Sequence, residues 1–185
     1  MSARFAAVLG WPLLIVGCAA GEDRTWRSGT EIQIDASFDA VTQEATLAAV
    51  EQWTRATHGA TGLSVSIGDV VDARASIFPD ASYSVYGRTW MSLELPPRIN
   101  LDIPAITQDA PGNVAGATLL VALHEVGHAL GLTHTETGIM ADSGLQQPPC
   151  LDLLAVSLLC ERIACPDGFE ATCEDPRPSR LALRR

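Results

Sequence analysis

The chain has 185 residues, 47% hydrophobic and 18% charged, which is enough apolar material for one packed domain. Its formal net charge is −10 and every basic residue is Arg, so the acidic balance argues against nucleic acid or an anionic membrane face as partner. It contains no internal repeat, P-loop or Gly-rich dinucleotide fingerprint.

The first element is "MSARFAAVLGWPLLIVGCAAGEDR", with one early basic residue, Arg4, an apolar run to Gly17, then small residues and charge. It reads as a secretory signal, residues 1–17, too short to span a bilayer comfortably. Two cleavage sites compete. "IVGC", Ile15 to Cys18, resembles a bacterial lipobox, whose Cys becomes the lipidated first residue. Cys18-Ala19-Ala20 would instead permit cleavage after Ala20. The chain has five Cys, and setting Cys18 aside leaves an even set, which favours lipidation. Residues 18–28 read as a short linker. The expected location is the bacterial cell envelope, as an outer-membrane lipoprotein or in the periplasm, or else the extracellular space.

The domain expected over 29–165 begins with an alternating strand, Thr30 to Phe38. A helix follows behind a capping Asp39, with Val41, Ala45, Ala48, Ala49 and Trp53 on one face. Leu63 to Val70 reads as a second strand. "ASYSVYGRTWMSLEL" and "RINLDI" read as two more, separated by Pro96-Pro97. From about Asn113 the pattern becomes strongly helical. Strand, helix, several strands and a long helix together make an α/β layer arrangement.

Beyond lie Cys150, Cys160, Cys165 and Cys173, spaced C-x9-C-x4-C-x7-C. That is not a zinc-finger spacing, and an exported compartment favours two disulfides. If Cys150 to Cys160 is helical, these two lie about 15 Å apart along it, whereas a disulfide needs Cα atoms within roughly 7 Å. Cys150 is therefore expected to pair with Cys165 or Cys173. Residues 166–185 read as a Cys-containing tail.

The long helix carries the chemistry. Of four histidines, three fall within "HEVGHALGLTH", His124 to His134. His124 and His128 are four apart and project from one helical face, which suits two imidazoles on one metal. Glu125 stands beside them. On a continued helix His134 would point roughly 240° away from His128, so the helix must stop first, and Gly131 can turn the chain out of it. Three His ligands with an open position suit a catalytic zinc. The rival readings are chance and a metal site that has lost its chemistry. A shuffled chain would show this pattern with a probability on the order of 10⁻⁵, and Glu125 is intact. His58 reads as an ordinary polar residue.

"HEVGHALGLTH" followed by "GIM" resembles the metzincin zinc endopeptidases, with Met140 in the place of their Met-turn. Thr135 after the last His is similar to the matrixins, and "RINLDI" resembles their last sheet strand. The likeness is specific over Ala117 to Asp142 and a matter of pattern over Thr30 to Cys165. It implies a twisted, mostly parallel sheet with an antiparallel edge strand, two long helices and a C-terminal helix. It also implies a zinc-dependent endopeptidase. His124, His128 and His134 would hold one Zn2+, and Glu125 would act as general base on the metal's water and return the proton to the leaving amine. A protein or peptide substrate would lie extended on the Tyr83–Leu93 edge. A monomer is expected, with membrane contact only through a lipid at Cys18.

Several features depart from that family. No cysteine-switch sequence precedes the first strand, so latency by that route is not expected. The second, structural zinc site would need more histidines than His58. Asp69, Asp72 and Asp80 could line a Ca2+ loop but read better as a solvated acidic loop, and Asp142 stands where some metzincins have a Tyr. Two other functions fit the same residues: a surface lipoprotein binding module with non-catalytic zinc, and a cell-wall peptide hydrolase.

Overall fold

The computed structural model describes residues 26, 28–70, 75–81, 85–91, 97–142 and 144–173. The signal segment, Cys18, Asp72, and residues 82–84 and 92–95 of the third expected strand, Tyr83 among them, lie outside the described residues.

Five strands form one sheet: β1 (Glu31–Asp35), β2 (Ser64–Gly68), β3 (Ser76–Pro79), β4 (Gly87–Trp90) and β5 (Arg98–Leu101). Their order is β2-β1-β3-β5-β4. All neighbours are parallel except β4, which runs antiparallel to β5 at the edge. The expected α/β fold, with its mostly parallel sheet and antiparallel edge strand, is therefore present. β3 was not anticipated. It is a four-residue strand with a parallel neighbour on each side, so it shows no polar alternation. β1 is shorter than the Thr30–Phe38 reading because the Asp35 carboxylate accepts from the Ser37 amide at 2.8 Å and turns the chain.

Four helices complete the fold: α1 (Ala40–Ala56), α2 (Ile103–Asp109), α3 (Val114–Ala129) and α4 (Leu153–Ile163). Asp39 caps α1 as expected, its carboxylate accepting from Thr42 N at 2.7 Å. Ala45, Ala49 and Trp53 of the expected face are buried, but one edge of that face differs. Val41 is 50% exposed, while Thr42, Thr46 and Val50 are buried. Threonine tolerates that burial because Thr46 Oγ1 donates to Thr42 O at 2.8 Å, so its hydroxyl is satisfied within the helix. The fifth strand was expected to reach Ile103 but ends at Leu101. Asp102 caps α2 there through Ala105 N at 2.9 Å, with Pro104 in the first turn, where its missing N–H costs nothing.

The core lies between the sheet and the two long helices. Ile32, Ile34, Ile77, Ile99 and Leu101 from the sheet and Leu123 and Val126 from α3 are wholly buried. Trp53 of α1 is also wholly buried, and its Nε1 donates to Leu123 O at 3.0 Å, tying α1 to α3. Trp26 is buried as well, and its amide donates to Ala129 O at the end of α3. No helix of the described residues is long and apolar enough to cross a membrane.

The C-terminal helix starts later than Cys150, behind Asp152, whose carboxylate accepts from Ala155 N at 3.0 Å. Cys150 pairs with Cys173, one of its two expected partners, and Cys160 with Cys165. The segment up to Cys173 docks on the domain, with Glu170 N donating to Ala56 O and Thr172 Oγ1 to Gln52 Oε1. His58 takes part in this docking, its Nδ1 lying 2.8 Å from the Asp167 carbonyl.

Candidate metal centre

α3 begins at Asn113, whose side chain caps Gly116 N, and it lies against the buried face of the sheet. Its end is set by Gly131, at φ 95°. Gly131 N donates to His128 O at 2.8 Å and Leu132 N to Gly127 O at 2.9 Å, the paired bonds of a Schellman motif. A residue with a Cβ would be strained there. The turn sends the chain back past its own helix and brings His134 against the two helical histidines.

The Nε2 atoms of His124, His128 and His134 lie 3.0, 3.1 and 3.2 Å from one another. A tetrahedral ion with Zn–N bonds of ~2.0–2.1 Å would set ligand nitrogens roughly 3.3 Å apart. Two of the rings are oriented from behind. His124 Nδ1 is 2.8 Å from the Ile139 carbonyl, and His128 Nδ1 is 2.8 Å from the Leu132 carbonyl. A carbonyl only accepts, so each Nδ1 carries the proton and each Nε2 presents a lone pair to the centre. Burial lowers the pKa of His124 and pushes that of His128 down to about 4, so both favour the neutral, ligating form. Three convergent ring nitrogens, two of them fixed as acceptors by their carbonyl partners, fit a cation. Among the described residues, these histidines form the one group able to hold a metal. Asp69 and Asp80 belong to no such group among the described residues.

Met140 is wholly buried beneath the site. Gly127 makes its room, since a Cβ there would come within 2.4 Å of Met140 Sδ. The Met140 carbonyl accepts from Thr135 N at 3.1 Å, closing the loop that carries His134. Asp152 braces the same turn through Ile139 N at 2.7 Å, so the residue that caps α4 also steadies the carbonyl holding His124. Asp142 is exposed, and its charge acts on both His124 and His128.

Glu125 points away from solvent, 6% exposed, toward β4. Burial pushes its carboxyl up to about 7, against the opposing pull of the Thr89 hydrogen bond and the Arg88 charge. Thr89 Oγ1 lies 2.6 Å from Glu125 Oε2 and 2.9 Å from the Glu125 carbonyl. Gly87, two residues earlier, packs directly on the Glu125 side chain. Thr89, Gly87, Gly127 and Asp152 were all missed in the sequence. The one available signal was that Gly87 and Thr89, two apart on a strand, share a face.

The matrixin family model matches residues 22–144, more than half of the chain. No curated protein matches the sequence. Among solved structures, archaemetzincin from Methanopyrus kandleri is similar at 11% identity and a TM-score of 0.47, covering 71% of this chain and 94% of its own. Archaemetzincin from Archaeoglobus fulgidus, complexed with malonate, is similar at 17% identity and 0.46, covering 69% and 99%. Both overlaps are loose. The family match takes in the histidine helix, the glycine that ends it and the turn beneath, and on that span the chain belongs to the matrixin family of zinc metallopeptidases.

Proposed function

We propose that the protein is a zinc-dependent endopeptidase in which His124, His128 and His134 hold the metal and Glu125 is the general base. The observation that carries this reading is the convergence of three Nε2 atoms, two of them from the helix that also carries a buried carboxyl at Glu125. Zinc bound there supplies Lewis acidity, polarising a peptide carbonyl and lowering the pKa of water toward ~7. The protein does the rest. Ile139 and Leu132 fix the ring orientations, Gly131 returns His134 to the centre, and Glu125 takes a proton from the attacking water and delivers it to the leaving amine. β4 is the last strand of the sheet, so its outer edge can pair with an extended peptide.

The test is metal analysis of the purified protein together with digestion of a peptide library. One zinc per chain and zinc-dependent cleavage of internal peptide bonds are expected. Stoichiometric zinc with no cleavage would favour a binding module, and cleavage confined to cell-wall peptides would favour the narrower hydrolase.

Export is part of the same proposal, supported by the two disulfides, which form and persist in oxidising compartments. With lipid attached at Cys18, the wild type in a bacterial host should sediment with membranes and Cys18→Ser should not. A soluble wild type whose mature N-terminus is Gly21 would show cleavage after Ala20 instead.

A further inference from the structure

The edge strand β4 touches the centre of α3 through residues that no metal-ligand motif includes. Its register pairs Gly87 with Leu101 and Thr89 with Ile99. Leu101 and Ile99 are both wholly buried on the helix side of the sheet, so Gly87 and Thr89 face α3. There they meet Glu125 from two directions. Thr89 Oγ1, in a buried residue, is 2.6 Å from Glu125 Oε2, the short distance of a hydroxyl donating to a carboxylate. At Gly87 an added Cβ would lie 2.6 Å from Val121 Cγ1, 2.8 Å from Glu125 Cγ and 3.0 Å from Glu125 Oε1. Real Cβ atoms do not approach so closely, so any larger residue there would crowd Val121 and the Glu125 side chain.

We infer that Gly87 and Thr89 form a seat for the Glu125 carboxylate, Gly87 by giving it room and Thr89 by holding one of its oxygens. Thr89 is thus a positioning residue for the reaction. The inference rests on the reading of Glu125 as general base. Thr89 Oγ1 is also 2.9 Å from the Glu125 carbonyl, so its one hydrogen is shared between the carboxylate and the helix backbone, and the contact restricts the Glu125 rotamers. The strand that offers its outer edge to a peptide therefore also sets where the base stands.

The experiment uses the zinc-loaded protein and a peptide that the wild type cleaves. The variants are Thr89→Val, Thr89→Ser and Gly87→Ala, with Glu125→Ala measured alongside. Thr89→Val keeps shape and removes the hydroxyl. It should retain one zinc per chain and lower kcat by ~10–100-fold, the scale of a catalytic group misplaced by about 1 Å, with KM little changed. Thr89→Ser restores the hydroxyl and should recover most of the rate. Gly87→Ala keeps the Thr89 hydroxyl but crowds the Glu125 side chain, so it too should lower kcat with zinc retained, and it decides the matter if Thr89→Val does not fold. In the Glu125→Ala background, Thr89→Val should cause no further loss, because the group it positions is gone.

Wild-type kcat in both Thr89→Val and Gly87→Ala, with Glu125→Ala inactive, would overturn the seat and leave the base assignment standing. An equal additional loss from Thr89→Val in the Glu125→Ala background would also overturn it, by showing a merely structural role. Full cleavage by Glu125→Ala would remove the base assignment, and the seat with it.

Discussion

Glu125→Ala is expected to leave one zinc per chain and a folded protein while lowering peptide cleavage by ~10²–10⁴-fold, the contribution typical of a positioned acid–base group. Glu125 is adjacent in sequence to His124 but is not one of the three convergent ligands, two of which, His124 and His128, are held by backbone carbonyls that the substitution leaves in place. The fold should tolerate the change for a second reason. A buried carboxyl pushed up to about 7 is more costly to bury when ionised than when protonated. In the metal-free protein that group's contribution is favourable below ~4.5 and is lost as pH rises through about 7, since the folded state binds the proton more tightly than the unfolded one. Removing it should raise the melting temperature of the metal-free protein at pH 8 relative to wild type, and less so at pH 5. Zinc content, melting temperature and cleavage measured side by side check all of this. Cleavage within a few-fold of wild type would show that Glu125 is not the base.

The long helices and the metal-binding stretch were legible because each is marked by local chemistry. Asp39 and Asn113 are caps that the eye can find, and Gly131 is a stop whose left-handed φ follows from the need to return His134. The disulfide pairing of Cys150 was partly legible because a helix of known rise separates it from Cys160. What failed was short or buried on both sides. β3 has four residues and no alternation, and α2 has seven, too few for a periodicity to declare itself. One edge of the α1 face was not legible, because an apolar stripe does not mark Thr42 and Thr46, although a threonine such as Thr46 that bonds back within its helix can be buried. The seat of Glu125 was out of reach for a different reason. Thr89 and Glu125 are 36 residues apart and meet only through the packing of an edge strand on a helix, which no linear spacing encodes.

His134→Ala is expected to weaken zinc binding by more than ~100-fold, because even an outer-shell partner of a ligand costs ~10–100-fold in metal affinity. The fold gives little cause for any other effect. His134 is exposed, so shortening it opens no cavity in the core. The loop that carries it is closed by backbone, with Thr135 N on the Met140 carbonyl at 3.1 Å, and by the Thr135 hydroxyl on Thr137 O at 2.7 Å. Neither bond involves the imidazole. His124 and His128 would keep their carbonyl partners and remain 3.0 Å apart, a two-nitrogen site on one helical face. The metal-free melting temperature should therefore match the wild type, while the stabilisation that added zinc gives the wild type should shrink, since a ligand stabilises the folded state by an amount that grows with the logarithm of its affinity. Competition with a chelator, read as zinc bound per chain, measures the affinity directly. Tight one-to-one zinc in His134→Ala would mean that the two helical histidines find their further ligand elsewhere, and the role given to Gly131 in returning the chain to the metal would fall with that result.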